Sequence, residues 1–229
     1  MGQGDHDGKR CIILGARGAA GEAIAAFLAR GGARLYLLEA EAREGGGSPR
    51  IPADATAGRA TFTPGSVARA AQAVDGAREA LGGIDVLVCA YDLDRLRRSL
   101  DRDTTDTARW SWLVGDWLVT YFAVTRAAVP HMIADRGGRV LFITSTAGYT
   151  GDLGGGRAGQ ASILECACAS GITGMKTSMA RELIPRGVSL NGIAVDPDRP
   201  LDRERLLWAA DLWLAGRCDY ACGQILRLD

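Results

Sequence analysis

The sequence predicts an α/β protein, a doubly wound parallel sheet of about seven strands with helices on both faces. Three observations carry this. Short apolar runs alternate with amphipathic stretches along the chain. A glycine-rich turn joins the first apolar run to the first amphipathic stretch. The second apolar run ends close to an acid, Glu39.

Strands are expected at 10–14, 34–38, 59–63, 85–89, 139–144, 189–195 and 224–228. Most are runs of Val, Ile and Leu, the pattern of strands covered on both faces. Helices are expected at 19–30, 66–81, 105–132, 158–184 and 202–214, and a glycine- and proline-rich loop at 41–58. Residues 1–9 are polar and read as a flexible lead-in to a single domain over 10–229. In the helix at 105–132, Trp110, Leu113, Val114, Trp117 and Tyr121 share one face, while Trp112, Leu118 and Phe122 lie off it. A helix apolar on more than one face is covered on more than one side, which points to a subunit interface.

A chain of 229 residues can bury a large core. The 27 basic residues balance the 27 acidic ones, so no global field draws in nucleic acid or an anionic membrane. No apolar run approaches the roughly 20 residues of a membrane span, and no apolar signal-like region follows the start, so a cytoplasmic location is expected. Cys11, Cys89, Cys166, Cys168, Cys218 and Cys222 form no C-x-x-C pair, which argues against zinc and for free thiols.

The turn after the first strand reads Gly15-Ala16-Arg17-Gly18-Ala19-Ala20-Gly21. Gly15, Gly18 and Gly21 let the backbone turn tightly and approach a pyrophosphate at the following helix N-terminus, where free N–H groups favour an anion. Glu39 is placed to accept from ribose hydroxyls, as in NAD-binding sites, and to repel an added phosphate. Strand, glycines, helix, strand and acid in register give a Rossmann-like fold.

From here the chain resembles the short-chain dehydrogenase/reductase family, over about Arg10 to the last residue. The resemblance rests on Ile84-Asp85-Val86-Leu87-Val88, on Val124 to Met132, and on Gly137-Gly138-Arg139-Val140 through Ser145-Thr146-Ala147-Gly148. It continues in Ala180-Arg181-Glu182-Leu183, Val188-Ser189-Leu190-Asn191 and Gly223-Gln224-Ile225-Leu226. The family works with a Ser–Tyr–Lys–Asn set. Tyrosine moves the proton, lysine tunes it and holds the nicotinamide ribose, serine orients the carbonyl, and asparagine holds a relay water.

This chain departs from that set. It has two lysines, Lys9 and Lys176, and one asparagine, Asn191. Counting back without a gap from Ala180 puts Glu165 at the tyrosine position and Ala169 at the lysine position; Ser145 is kept, and Trp117 falls at the asparagine position. The family's adenosine-flanking Asn-Asn-Ala-Gly becomes Cys89-Ala90-Tyr91-Asp92. Its adenine-contacting aspartate becomes Thr63, with Asp54 the alternative if the register differs, and its Pro-Gly facing the nicotinamide becomes Val195-Asp196. The lid after the sixth strand shortens to Pro197-Asp198-Arg199-Pro200.

The resemblance therefore implies a degenerate, catalytically inactive member that pairs with an active homologue, with no cofactor of its own, or NAD if any. Pairing would use the helices at 105–132 and 158–184 and the C-terminal strand; self-association is a further option. Hetero-oligomeric members such as the 2-(hydroxybenzyl)succinyl-CoA dehydrogenase set the precedent, and a 3-hydroxyacyl-CoA substrate would follow. The alternatives are an NAD(H)-dependent oxidoreductase using Glu165, its acidity shifted by burial, with Ser145, and a nucleotide-sensing module.

Overall fold

The computed structural model describes residues 6–41, 51–90, 107, 110–111, 114–150, 163–196 and 199–228. Strands β1 (Arg10–Leu14), β2 (Arg34–Ala40), β3 (Thr56–Phe62), β4 (Val86–Cys89), β5 (Gly138–Ser145), β6 (Val188–Val195) and β7 (Ile225–Leu228) form one sheet in the order β3-β2-β1-β4-β5-β6-β7. Every pairing is parallel. Strand order reverses between β1 and β4, which opens a crevice at their carboxyl ends where ligands of such sheets bind. Cys11 to Leu14 of β1 and all of β4 are buried, as central strands covered on both faces must be. Each fully buried Ile, Leu or Val there contributes roughly 1.5–3 kcal/mol.

Helix α1 (Ala19–Arg30) follows β1, and α2 (Val67–Leu81) joins β3 to β4. After it come α3 (Thr120–Ala134), the short α4 (Ala147–Thr150), α5 (Ile163–Leu183) and α6 (Arg203–Leu214). α1 packs on α6, α2 packs on α3, and α5 covers β5 and β6. The helix ends are chemically marked. Ser66 accepts from the Arg69 N–H at the start of α2, and Asp202 accepts from the Arg205 N–H at the start of α6. Gly82 closes α2 in the left-handed conformation.

Two expectations need correcting. β3 begins at Thr56, so the expected loop at 41–58 runs into a strand. Gly58 makes that stretch read as a turn. It sits in the strand because a Cβ there would lie 2.6 Å from Tyr36 Cε2, under the ring on neighbouring β2. The expected helix at 105–132 is also not α-helical throughout. Val114–Val119 is a π-helical turn leading into α3. Thr120 Oγ1 donates to the Gly115 carbonyl (3.2 Å) and accepts from the Gly65 N–H (2.9 Å), so the wide turn is held from inside and from the β3–α2 connection. Leu113 of the shared face and Trp112 off it lie outside the described residues. Of the remainder, Trp117 and Tyr121 are wholly buried, Trp110, Val114 and Leu118 are half-buried, and Phe122 is exposed.

From His6 onward the lead-in lies against the fold. His6 Nε2 is 3.1 Å from Asp211 Oδ1 on α6, and Lys9 Nζ donates to the Leu214 carbonyl at 2.9 Å. All six cysteines are free. Burial pushes the Cys168 thiol up to about 11, and those of Cys11 and Cys89 higher still. No helix among the described residues is long and apolar enough to cross a membrane.

Candidate functional site

The crevice between β1 and β4 starts at Gly15, whose φ of 84° turns the chain sharply off β1. Its N–H donates to the Leu38 carbonyl on β2. Gly21, in the first turn of α1, has no room for a side chain: a Cβ there would stand 2.2 Å from the Gly15 carbonyl oxygen. Gly18 is the N-cap residue, and no side chain caps the helix. The glycines bring α1 hard against the turn and leave its first N–H groups without a side-chain cap.

Glu39, near the end of β2, reaches into this turn. It is only 7% exposed. Burial pushes its acidity up to about 7, against the opposing pull of the Arg17 guanidinium, the Ala16 and Arg17 backbone N–H groups, and Arg59. Its Oε1 is buried without a hydrogen-bond partner, and so is Arg17 Nε. Neither Arg17 nor Arg59 is among the residues that the sequence motifs single out. Arg17 lies inside the glycine turn, and that position is the signal that could have found it. Arg59 reaches Glu39 only through the β2–β3 register, which pairs it with Leu37.

The far end of the crevice is built differently. Ser145 ends β5, and its hydroxyl donates to Glu165 Oε1 at 2.8 Å. The Ala147 N–H donates to the same Ser145 oxygen at 3.2 Å. Both side chains are fully buried. The structure therefore brings together the two residues that the sequence singles out for this end. One turn further along α5, Ala169 is packed beneath α4. A Cβ on Gly148 would come within 2.8 Å of Ala169 Cβ and backbone. Trp117 is wholly buried, and its indole N–H has no acceptor.

The remaining lysine, asparagine and acid candidates of the sequence are committed elsewhere or lie away from the crevice. Lys176 lies two turns beyond Ala169 and donates from Nζ to the Gly223 carbonyl; burial lowers its pKa. Asn191 donates from Nδ2 to the Ala221 carbonyl (2.9 Å) and accepts from the Gln224 N–H (2.9 Å), which fixes the turn before β7. Thr63 donates to Glu41 Oε2 at 3.0 Å. Asp54 precedes β3 and so stands at the opposite end of the sheet from the glycine turn. Ala90 is buried beside the turn, its N–H donating to the Leu14 carbonyl. Val195 accepts from the Thr146 N–H, and Asp196 pairs with Arg199. Tyr91, Asp92, Pro197 and Asp198 lie outside the described residues.

With this geometry in place, the comparisons agree on the family. The family model described as short chain dehydrogenase matches residues 9–197. The chain is 30% identical over 193 residues to the 3-oxoacyl-(acyl-carrier-protein) reductase FabG of Vibrio cholerae, covering 82% of this chain and 72% of that protein. It is 32% identical over 198 residues to the oxidoreductase UcpA of Escherichia coli, covering 83% and 69%. The crystal structure of acetoin dehydrogenase YohF from Salmonella typhimurium superposes with a TM-score of 0.76 at 21% identity, covering 96% of this chain and 95% of that one. The chain belongs to the short-chain dehydrogenase family of oxidoreductases.

The family's cofactor is a nicotinamide dinucleotide, and the two halves of its cradle fit unequally. Gly15, Gly21, Arg17 and Glu39 retain the geometry and the unfilled polar atoms that a ribose and diphosphate would satisfy. At the other end no residue among Ser145, Glu165, Ala169 and Trp117 offers a cation or a free hydroxyl to a nicotinamide riboside.

Proposed function

We propose that this chain is a short-chain-dehydrogenase subunit that transfers no hydride itself and acts by pairing with an active homologue in a hetero-oligomeric dehydrogenase. The observation that carries this reading is the closed pair of Ser145 and Glu165, with Ala169 sealed beneath Gly148 one turn away. A general acid–base group is worth about 10²–10⁴ in rate. Here the hydroxyl that would orient a carbonyl is spent on a carboxyl, and the position of the tuning cation is a methyl group. The pairing surface is assigned to the outer faces of α3 and α5, where Phe122 and Ile163 are exposed, and to the edge strand β7. Large apolar side chains of this kind serve as anchors in interfaces. The name of the Vibrio cholerae relative points to an acyl thioester oxidised or reduced at its third carbon as the substrate class of the complex, with NAD(P) turned over by the partner.

The test has two arms. The purified chain, offered NADH or NADPH with 3-oxoacyl thioesters, is expected to give no turnover. Purification from its native host is expected to bring an intact short-chain dehydrogenase with it. Recovery of homo-oligomers alone would overturn the pairing.

A second reading has one observation in its favour, the 2.8 Å hydrogen bond from Ser145 to Glu165, which couples an acid to the residue that orients a carbonyl. In it the chain is an NAD(H)-dependent oxidoreductase with Glu165 as proton donor. Turnover by the isolated chain that disappears in Glu165→Gln would establish it.

A further inference from the structure

We infer that Cys218 and Cys222 are a modification site: hydrogen peroxide oxidises them to a disulfide within the turn before β7, and the disulfide loosens that turn. The other cysteines are poorly placed for this. Cys11, Cys89 and Cys168 are buried, and burial holds their thiols against ionisation. Cys166 is half-buried on α5, but Cys168, two residues on, points to another side of the helix. Cys218 and Cys222 are both half-buried and lie four residues apart outside any helix. The Ala221 N–H donates to the Cys218 carbonyl at 2.9 Å, so residues 218–221 close a turn whose end Cα atoms lie within about 7 Å. Cys222 is the next residue, and a disulfide needs Cα atoms about 4.4–6.8 Å apart. The segment is bounded by Gly216 and Gly223, both in the left-handed conformation, and its Tyr220 is 86% exposed. Bringing the sulfurs together therefore asks for movement within a surface turn and leaves the sheet in place.

Cys222 is the sulfur that reacts first. It accepts from the Leu190 N–H at 3.2 Å, and it lies close enough to the buried Lys176 ammonium for the two charges to interact. An N–H donor and a cation are the groups that stabilise negative charge on sulfur, the form that attacks a peroxide. The sulfur takes one peroxide oxygen, the O–O bond breaks, and the departing hydroxide leaves as water with the thiol's proton. Cys222 is then a sulfenic acid. The Cys218 thiol attacks that sulfur, the S–O bond breaks, and a second water leaves with the Cys218 proton. The two thiols have given up two electrons and the peroxide has accepted them. The disulfide draws the Cys222 sulfur off the Leu190 N–H and away from Lys176. Its neighbours Ala221 and Gly223, whose carbonyls are held by Asn191 and Lys176, are then less firmly tied to β6 and α5.

Mass spectrometry of the full chain, treated with a modest excess of hydrogen peroxide and then with a thiol-alkylating agent, tests the site. Trypsin releases residues 218–227 as one peptide that holds both cysteines. That peptide is expected to be lighter by two hydrogen atoms, to carry no alkyl group, and to regain both thiols with dithiothreitol. In Cys218→Ser, Cys222 is expected to stop at a sulfenic acid that dimedone labels; in Cys222→Ser, Cys218 is expected to stay a thiol. Lys176→Met is expected to slow the disulfide about tenfold, and oxidation at the wild-type rate overturns the part given to the ammonium. Hydrogen exchange at the Leu190 amide is expected to speed up in the oxidised chain, and unchanged exchange overturns the loosening. A wild-type peptide still alkylated at both cysteines, or joined to another cysteine or to a second chain, overturns the site. The wild-type peptide needs no variant, so a poorly folding substitution leaves the answer intact.

Discussion

The two ends of the crevice treat a buried carboxyl in opposite ways. At the glycine turn, Glu39 Oε1 and Arg17 Nε are buried with nothing to bond. At the end of β5, Ser145 and Glu165 are buried and bond each other. The first arrangement carries a standing cost that a ligand can remove. The Ser145–Glu165 pair is satisfied from within, and a ligand would have to break it, although Trp117 Nε1 and Thr144 Oγ1 at the same end are buried without partners. A buried polar group left unsatisfied in a native fold calls for an explanation, and a ligand at the glycine turn would supply one for Glu39 and Arg17.

The sharpest attempt to break the contrast is to re-arm the second half. Glu165→Tyr combined with Ala169→Lys restores the family's residue types at both positions. The space over residue 169 is closed by Gly148, so the lysine has no path and the core is overpacked. The double variant is expected to lose about 3 kcal/mol, a fall in Tm of roughly 6–12 °C, and to gain no turnover. A thermal melt and an NADH oxidation assay check it. A stable, active double variant would show that the closure is superficial.

The next effect has the opposite sign and belongs to the first half. Glu39 has its acidity raised to about 7, mainly by burial, with Arg17 and Arg59 as the charged groups facing it. A carboxyl raised in the folded state supports the fold fully below its unfolded pKa and loses that support as pH rises through about 7. Glu39→Gln removes the cost of the buried charge. It is expected to be more stable than wild type by about 2–3 kcal/mol near pH 8 and by less than about 1 kcal/mol near pH 5, read by urea unfolding. Equal stability of the two proteins across that range would mean that Glu39 is better solvated than its burial implies. By the same sign, ADP-ribose, which needs the carboxylate as acceptor, is expected to bind more tightly as pH rises through about 7.

Much of this is legible in the amino-acid sequence alone. The seven strands follow from the alternation of apolar runs, and the register between glycine turn and Glu39 holds in the fold, because both are short-range patterns of period and spacing. The meeting of Ser145 with Glu165 is also readable, since both positions follow from motifs that share a family frame. The third dimension of the losses is not. Gly148 sealing Ala169 depends on how α4 lies on α5. Arg59 reaching Glu39 depends on the β2–β3 register. The π turn at Val114–Val119 depends on a hydrogen bond between Thr120 and Gly65, far apart in sequence. Gly58 misleads for a related reason: its missing side chain answers to Tyr36 on the next strand, which no local rule contains.

A smaller effect sharpens the second half. Glu165→Ala leaves the buried Ser145 hydroxyl with its bond from the Ala147 N–H but no acceptor for its own proton, at an expected loss of about 2 kcal/mol, while Glu165→Gln, which keeps an acceptor, is expected to lose less than about 1 kcal/mol. ADP-ribose affinity should be unchanged in both, since neither touches the glycine turn. Loss of affinity in either would mean that the two ends are coupled and the division drawn between them is wrong.

The smallest effect concerns the lysine that remains. Lys176 is buried, and burial lowers its pKa, so holding it charged carries a desolvation cost that its bond to the Gly223 carbonyl offsets. Lys176→Met loses the bond and the cost together while keeping the aliphatic stem, so the net change in stability is expected to stay within about 1 kcal/mol. Its value lies in what it leaves alone. If Lys176 served the nucleotide in place of the family's missing lysine, the variant would lose NADH affinity. If the lysine has become a clamp on the turn before β7, NADH and ADP-ribose bind as before, and only hydrogen exchange around Gly223 and Gln224 speeds up. The expected result is the second, because the bond of Lys176 runs to the Gly223 carbonyl in that turn and Ala169, two turns earlier, holds the position the family gives its lysine.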